Sequence, residues 1–116
     1  MIVDLSLLKT HCRIDHDAED MVLFAYAEAA QAQIEHWIGR RVYARASDLP
    51  PAGSPSHDPY QLVADASITV AVLMLVGRMY DDERTGGANV GFNATPPAAV
   101  QSILAGYRVF RSLSDE

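Results

Sequence analysis

The sequence has a single cysteine, Cys12, so no intrachain disulfide is possible and nothing points to an oxidising compartment. Alone in the chain, Cys12 reads as a small buried apolar side chain. Lysine is equally scarce: Lys9 is the only one, and the other basic residues are arginines. The net charge of −6 argues against a general affinity for nucleic acid, because phosphate binding is carried by an excess of Lys and Arg, although a local basic patch stays open. Long apolar runs are missing too. The most apolar window, Ile68 to Gly77, is about half the length that spans a bilayer and is flanked by Asp65 and Arg78. The opening MIVDLSLLKTHC carries Asp4 inside its apolar run and has neither a basic leader nor a small-residue cleavage site, so it is not expected to be a signal peptide. A soluble chain without membrane attachment is expected.

What is present is a globular composition, 49% apolar and 21% charged, on a chain of 116 residues. That length suits one domain, residues 1–116, with one core. The stretch Pro59 to Arg84 reads as a long central helix of roughly 37 Å, with Asp58 as N-cap and Pro59 in the first turn. At helical spacing Leu62, Ala66, Val70, Leu73, Gly77 and Tyr80 share one face, read as a core stripe. Ile68, Val72, Leu75 and Met79 form a second stripe on nearly the opposite side. A helix apolar on two sides must be covered on two sides, by the rest of the chain or by a neighbouring subunit.

The remaining elements follow from caps and spacing. A short helix is expected from Leu5 to about Cys12 behind Asp4, with Ile14 pinned into the core after it. A second long helix is expected from about Ala18 to Ile38, capped by Asp17, with Val22, Leu23, Tyr26, Ala30, Ile34 and Trp37 inward. Gly39 should end it in the left-handed conformation, with Arg40 and Arg41 beside the negative end of its dipole. Met21, Phe24, Ala25 and Ala32 fall away from that stripe and look for cover. Residues 44–58 hold three of the six prolines and read as a connection with no element of its own. Thr85 to Thr95 reads as a mobile loop or a weak hairpin. Thr95, Pro96 and Pro97 open a last helix from Ala98 to about Arg108, with Val100, Ile103, Leu104 and Tyr107 inward and a flexible tail from about residue 109. The expected architecture is all-α: two long antiparallel helices, a short N-terminal helix and a short C-terminal helix.

No residue pattern calls for catalysis, a metal or a cofactor. The acids Asp15 to Asp20 lack the sixth-position Gly and twelfth-position Glu of a calcium loop, these positions being Asp20 and Tyr26, and helix capping accounts for them. His11, Cys12 and His16 have no second half of a zinc pattern, and His36 and His57 stand alone. Gly86, Gly87 and Gly91 precede no Gly-Lys-Ser or Gly-Lys-Thr. The arginines recur near helix ends and close to Asp81, Asp82 and Glu83. In a head-to-tail ring, acids on one edge can meet arginines on the next.

Four marks in order carry a resemblance: Leu-Lys-x-His-x-Arg-Ile-Asp from Leu8 to Asp15, Ile-Glu-x-x-x-Gly-Arg from Ile34 to Arg40, Met-Tyr-Asp-Asp-Glu-Arg from Met79 to Arg84, and Pro-x-Ala-Val-x-x-Ile-Leu-x-x-Tyr-Arg from Pro97 to Arg108. Together they resemble the head-tail connector family of tailed phages and prophages, the gp6-like adaptors. The resemblance implies a virion protein of the head-tail junction, assembled in the host cytoplasm. Its subunits would form a ring of about twelve copies beneath the portal protein, extending the DNA channel and docking the next tail-side protein. It gives the second stripe a purpose, making Ile68, Val72, Leu75, Met79, Met21, Phe24, Arg40, Arg41, Asp81, Asp82, Glu83 and Arg84 candidates for contact between copies. It makes Tyr107, Arg108, Phe110 and Arg111 portal-side candidates, and Gly86, Gly87, Asn89, Phe92 and Asn93 candidates for the channel or tail side. DNA would pass without specific binding. The alternative is a small helical regulator that binds DNA through Arg40-Arg41 or the Arg108-Arg111 end, and a third class is an enzyme built on the histidines and the acids of 15–20.

Overall fold

The computed structural model describes residues 2–84 and 96–109, without the side chains of 82–84. The helix α1 spans Leu5–Cys12, and the Asp4 carboxylate accepts from the Leu7 N–H at 2.8 Å, as the capping pattern predicts. Arg13 ends it in the left-handed region at φ 59°, a non-glycine residue in a Schellman-like cap whose N–H donates to the carbonyls of Lys9 and Thr10. Ile14 then turns inward and is buried, again as expected.

The helix α2 spans Asp20–Ile38 and begins two residues later than its caps suggested. Asp17 does not cap it. Its carboxylate pairs with Lys9 Nζ at 2.5 Å, and Asp20 lies 2.9 Å from the same ammonium. That hydrogen bond, and the charge behind it, hold the Asp17 carboxyl below the ordinary carboxylate range and raise Lys9. The lone lysine thus ties α1 to the start of α2. Gly39 closes α2 at φ 72°, where a side chain would be strained.

Two two-residue strands interrupt the all-α reading. The strand β1, Val42–Tyr43, lies parallel to β2, Leu62–Val63, with Val42 opposite Leu62. Side chains of α2 hold β1: Glu35 accepts from the Val42 N–H at 2.8 Å and Gln31 donates to the Val42 carbonyl at 3.1 Å. A single turn of 3-10 helix, Ala46–Asp48, lies in the connection between the strands.

The pairing shortens the central helix. Asp58 makes a side-chain turn to the Tyr60 N–H, residues 62–63 are drawn into the ladder, and α3 spans Ala66–Arg84 instead of starting at Pro59. At 19 residues it is about 28 Å long. Asp65 serves as its cap, accepting from the Ile68 N–H at 3.0 Å and from the Tyr107 hydroxyl. These bonds, Tyr107 first and the backbone N–H groups next, hold the Asp65 carboxyl below its ordinary range. A lowered folded-state pKa means a contribution present above the unfolded value near 4 and lost as pH falls through the folded value. Asp65→Ala should therefore cost about 1 kcal/mol at pH 7, as cap removals do. The gap to the parent chain in thermal melts should shrink towards pH 2.

The last helix, α4, spans Ala98–Leu104 with Pro97 at its N-cap and continues as a 3-10 turn through Tyr107. Thr95, expected as that cap, lies outside the described residues. One core joins all four helices, with Leu8, Leu23, Ile34, Ile38, Ile68, Val72, Val76, Val100 and Leu104 fully buried. The described residues are mostly helical, with four helices and one small sheet among them.

Candidate assembly surfaces

The two apolar stripes of α3 have exchanged roles. Ile68, Val72, Leu75 and Met79, expected at a contact between copies, are 0, 0, 3 and 9% exposed within their own chain. With Ala71 and Val76 they form the core face, and α2, the helix that α3 contacts most extensively, packs with it in the same cluster. They are not available as surface. On the stripe expected inside, Tyr80 is buried, but Val70 is 45% exposed, Ala66 is exposed, and Leu73 and Gly77 are half-buried.

Beside Gly77 the stripe expected inside borders a cleft of about 800 Å³, lined by His11 of α1, Met74, Gly77, Arg78 and Asp81 of α3, and Pro97 and Val100. Gly77 lets α1 approach closely. A Cβ built there would stand 2.9 Å from His11 Nε2. A smaller hollow of about 340 Å³ continues past His11 to Cys12, Arg13 and Tyr80. Cys12 is half-buried, not wholly buried as expected, and burial first, then Asp81 and Glu19, push its thiol up.

On α2 the buried residues are Leu23, Ala27, Ala30, Ile34 and Ile38. The expected stripe included Val22, Tyr26 and Trp37, but Val22 is 39% exposed and the two aromatics are half-buried. Leu23, Ala30 and Ile34 are buried as expected, and Ala27 and Ile38 are the buried positions that this reading passed over. Met21 and Phe24 do lie outside, at 86 and 39% exposure. Met21, Val22 and Phe24 thus form an apolar knob on the first turns of α2.

The arginines work largely within the chain. Arg40 donates to the Tyr60 carbonyl at 2.7 Å and to the Tyr107 carbonyl at 3.4 Å, so a residue expected at a contact between copies bolts the second strand's approach to the C-terminal turn. Arg108 donates to the Trp37 carbonyl at 3.0 Å, and its guanidinium lies 4.3 Å from the Trp37 ring centre. The Val109 N–H donates to the Ile38 carbonyl at 2.7 Å. Tyr107 to Val109 is therefore a strap across the end of α2. Arg108→Ala should cost about 1 kcal/mol and shift the emission of the single tryptophan, Trp37. Arg41 is half-buried and Asp81 exposed. The side chains of Asp82, Glu83 and Arg84, the loop residues Gly86, Gly87, Asn89, Phe92 and Asn93, and the tail residues Phe110 and Arg111 lie outside the described residues.

Among the described residues no group of three or more His, Cys, Asp or Glu is placed to hold a metal ion, and no helix is long and apolar enough to cross a membrane. The family model described as phage gp6-like head-tail connector protein matches residues 2–108. Among solved structures, the crystal structure of bacteriophage HK97 gp6 is similar, with a TM-score of 0.60 and 22% identity over 93% of this chain and 94% of that one. No curated protein matches in sequence.

Proposed function

Since the chain belongs to the phage gp6-like head-tail connector family, we propose that it is a structural adaptor subunit of the virion head-tail junction. It assembles in the host cytoplasm into a ring of about twelve copies beneath the portal protein, and works without catalysis or cofactor. The ring completes the head after packaging, extends the DNA channel and docks the next tail-side protein. The observation that carries this reading is the family match over residues 2–108.

Three physical features support it. The apolar knob on α2 is surface that a solitary small protein gains nothing by exposing. The net charge of −6 suits a wall past which DNA slides without sticking. The strap leaves the chain's last residues starting from one fixed point, at Trp37 and Ile38, from which Tyr107, Arg108, Phe110 and Arg111 serve the portal side. The 85–95 loop, with Gly86, Gly87, Asn89, Phe92 and Asn93, serves the channel or the tail side. A DNA-binding regulator would need Arg40 and Arg108 free for phosphate, and both are engaged with backbone carbonyls of their own chain.

Mixing the purified protein with its cognate portal and imaging by negative stain is the test. A ring of added density on one face of the portal is expected. A portal left bare at micromolar adaptor sinks the proposal, as would tight, strongly salt-dependent binding of duplex DNA.

A further inference from the structure

The knob and the cleft face in opposite directions. With α2 wound at about 100° per residue, Met21 lies about 140° and Phe24 about 80° from the centre of the stripe from Leu23 to Ile38, and Val22 about 120° from it on the other side. On α3, Val70 and Gly77 lie about 170° and Met74 about 130° from the centre of the core stripe. One apolar surface therefore points outward from α2 and the other outward from α3, with the α2·α3 core between them.

Their shapes and charges differ as well. The first is led by a methionine 86% exposed; the second is a widely open hollow with Met74, Pro97 and Val100 in its wall. Acids neighbour the knob: Asp15 precedes α2, and Glu28 stands one turn beyond Phe24. Around the cleft and its smaller extension stand Arg78, Arg13 and His11 against one acid, Asp81. An exposed apolar patch on one face and a hollow on the other cannot satisfy each other within a two-fold dimer and leave nothing over. Repeated head to tail they can, and such a contact closes into a ring when the rotation allows.

We propose that the Met21-Val22-Phe24 knob of one copy seats in the His11-Met74-Gly77-Val100 cleft of the next, and that this knob-in-cleft contact is the joint between neighbouring subunits. The inference rests on the adaptor reading and specifies its joint. Glu28 then approaches the Arg78 and Arg13 side of the cleft, which fixes the direction of the ring.

Cysteine pairs decide the matter. In a Cys12→Ser background, Met21→Cys and Met74→Cys are made singly and together in the full chain, and are oxidised with and without portal. The two single variants mixed should give a covalent heterodimer and stop there, at ten times or more the yield of either alone. The double variant should give a ladder of multimers. If Met21→Cys cross-links to itself as readily as the mixture does, the joint is two-fold and the proposal is wrong. If rings form on the portal in images yet no cross-link appears, the joint lies elsewhere, and the adaptor reading survives without it. If neither rings nor portal binding are seen, both fall. Circular dichroism melts of each single variant, expected within a few degrees of the parent, exclude misfolding as the cause.

Discussion

Leu75→Glu is expected to abolish the fold, leaving a chain with no cooperative thermal transition and a far-ultraviolet spectrum that has lost most of its helix. Leu75 is 3% exposed in the middle of α3, among Ala71, Val72, Val76 and Met79. Removing the leucine forfeits about 1.5–3 kcal/mol of burial. Placing a carboxylate there without a partner adds several kcal/mol more, whether it stays charged or takes up a proton. Small domains hold about 5–15 kcal/mol in all, so the two losses consume most or all of it. Leu75→Ala isolates the first loss and should lower stability by about 2–5 kcal/mol while the protein still melts cooperatively. Were Leu75→Glu to melt like the parent and fail only in assembly, the stripe from Ile68 to Met79 would be an outer face and the burial described above would be wrong.

That prediction marks where the sequence was readable and where it was not. A helical wheel shows that α3 has two apolar faces, and it does. It separates the two faces only weakly, because Val70 and Leu73 are as apolar as Val72 and Leu75. The answer lies in what packs around the helix, which is a property of α1, α2 and α4 and not of α3's own letters. Local signals fared better. Asp4, Gly39 and Ile14 did what their chemistry requires, because a cap or a tethered apolar residue is decided within a few positions. The strands β1 and β2 had no legible period, being two residues each and paired across the proline-rich connection. Their pairing then moved the start of α3 from Pro59 to Ala66, since Asp65 offers as good a cap as Asp58.

The same limit applies to charged residues. Arg40 stands beside a helix end, where dipole effects alone would favour it, yet its bonds run to Tyr60 and Tyr107, 20 and 67 positions along the chain. Asp17 reads as a helix cap in the sequence, yet with Lys9 it forms a tie between α1 and the start of α2. A family resemblance supplies the fold and the role but cannot assign faces, because the marks that carry it are largely helix caps and ends. Met21, Val22 and Phe24 are exposed where Ile68, Val72, Leu75 and Met79 are buried.

Met21→Glu combined with Phe24→Glu should have the converse effect to Leu75→Glu, sparing the subunit and removing the ring. Both side chains stand outside the buried stripe of α2, and surface substitutions of this kind change stability by about 0.5 kcal/mol or less each. The melting temperature should therefore stay within a few degrees of the parent. Assembly answers to a different sum. An apolar anchor at the centre of a contact between subunits is worth about 2 kcal/mol or more, roughly a 30-fold change in the affinity of one joint. A carboxylate carried against the apolar wall of Met74, Pro97 and Val100 deepens the loss through unpaired burial. Every copy in a ring contributes one such joint, so the penalty is multiplied around the circle, and ring density on the portal should vanish under conditions where the parent saturates it. Electron micrographs paired with melts of the same preparation measure both halves. An unchanged ring on a folded double variant would show that the exposed end of α2 is bare for some other purpose. A lost melting transition would show that Met21 and Phe24 hold the subunit together, contrary to their exposure.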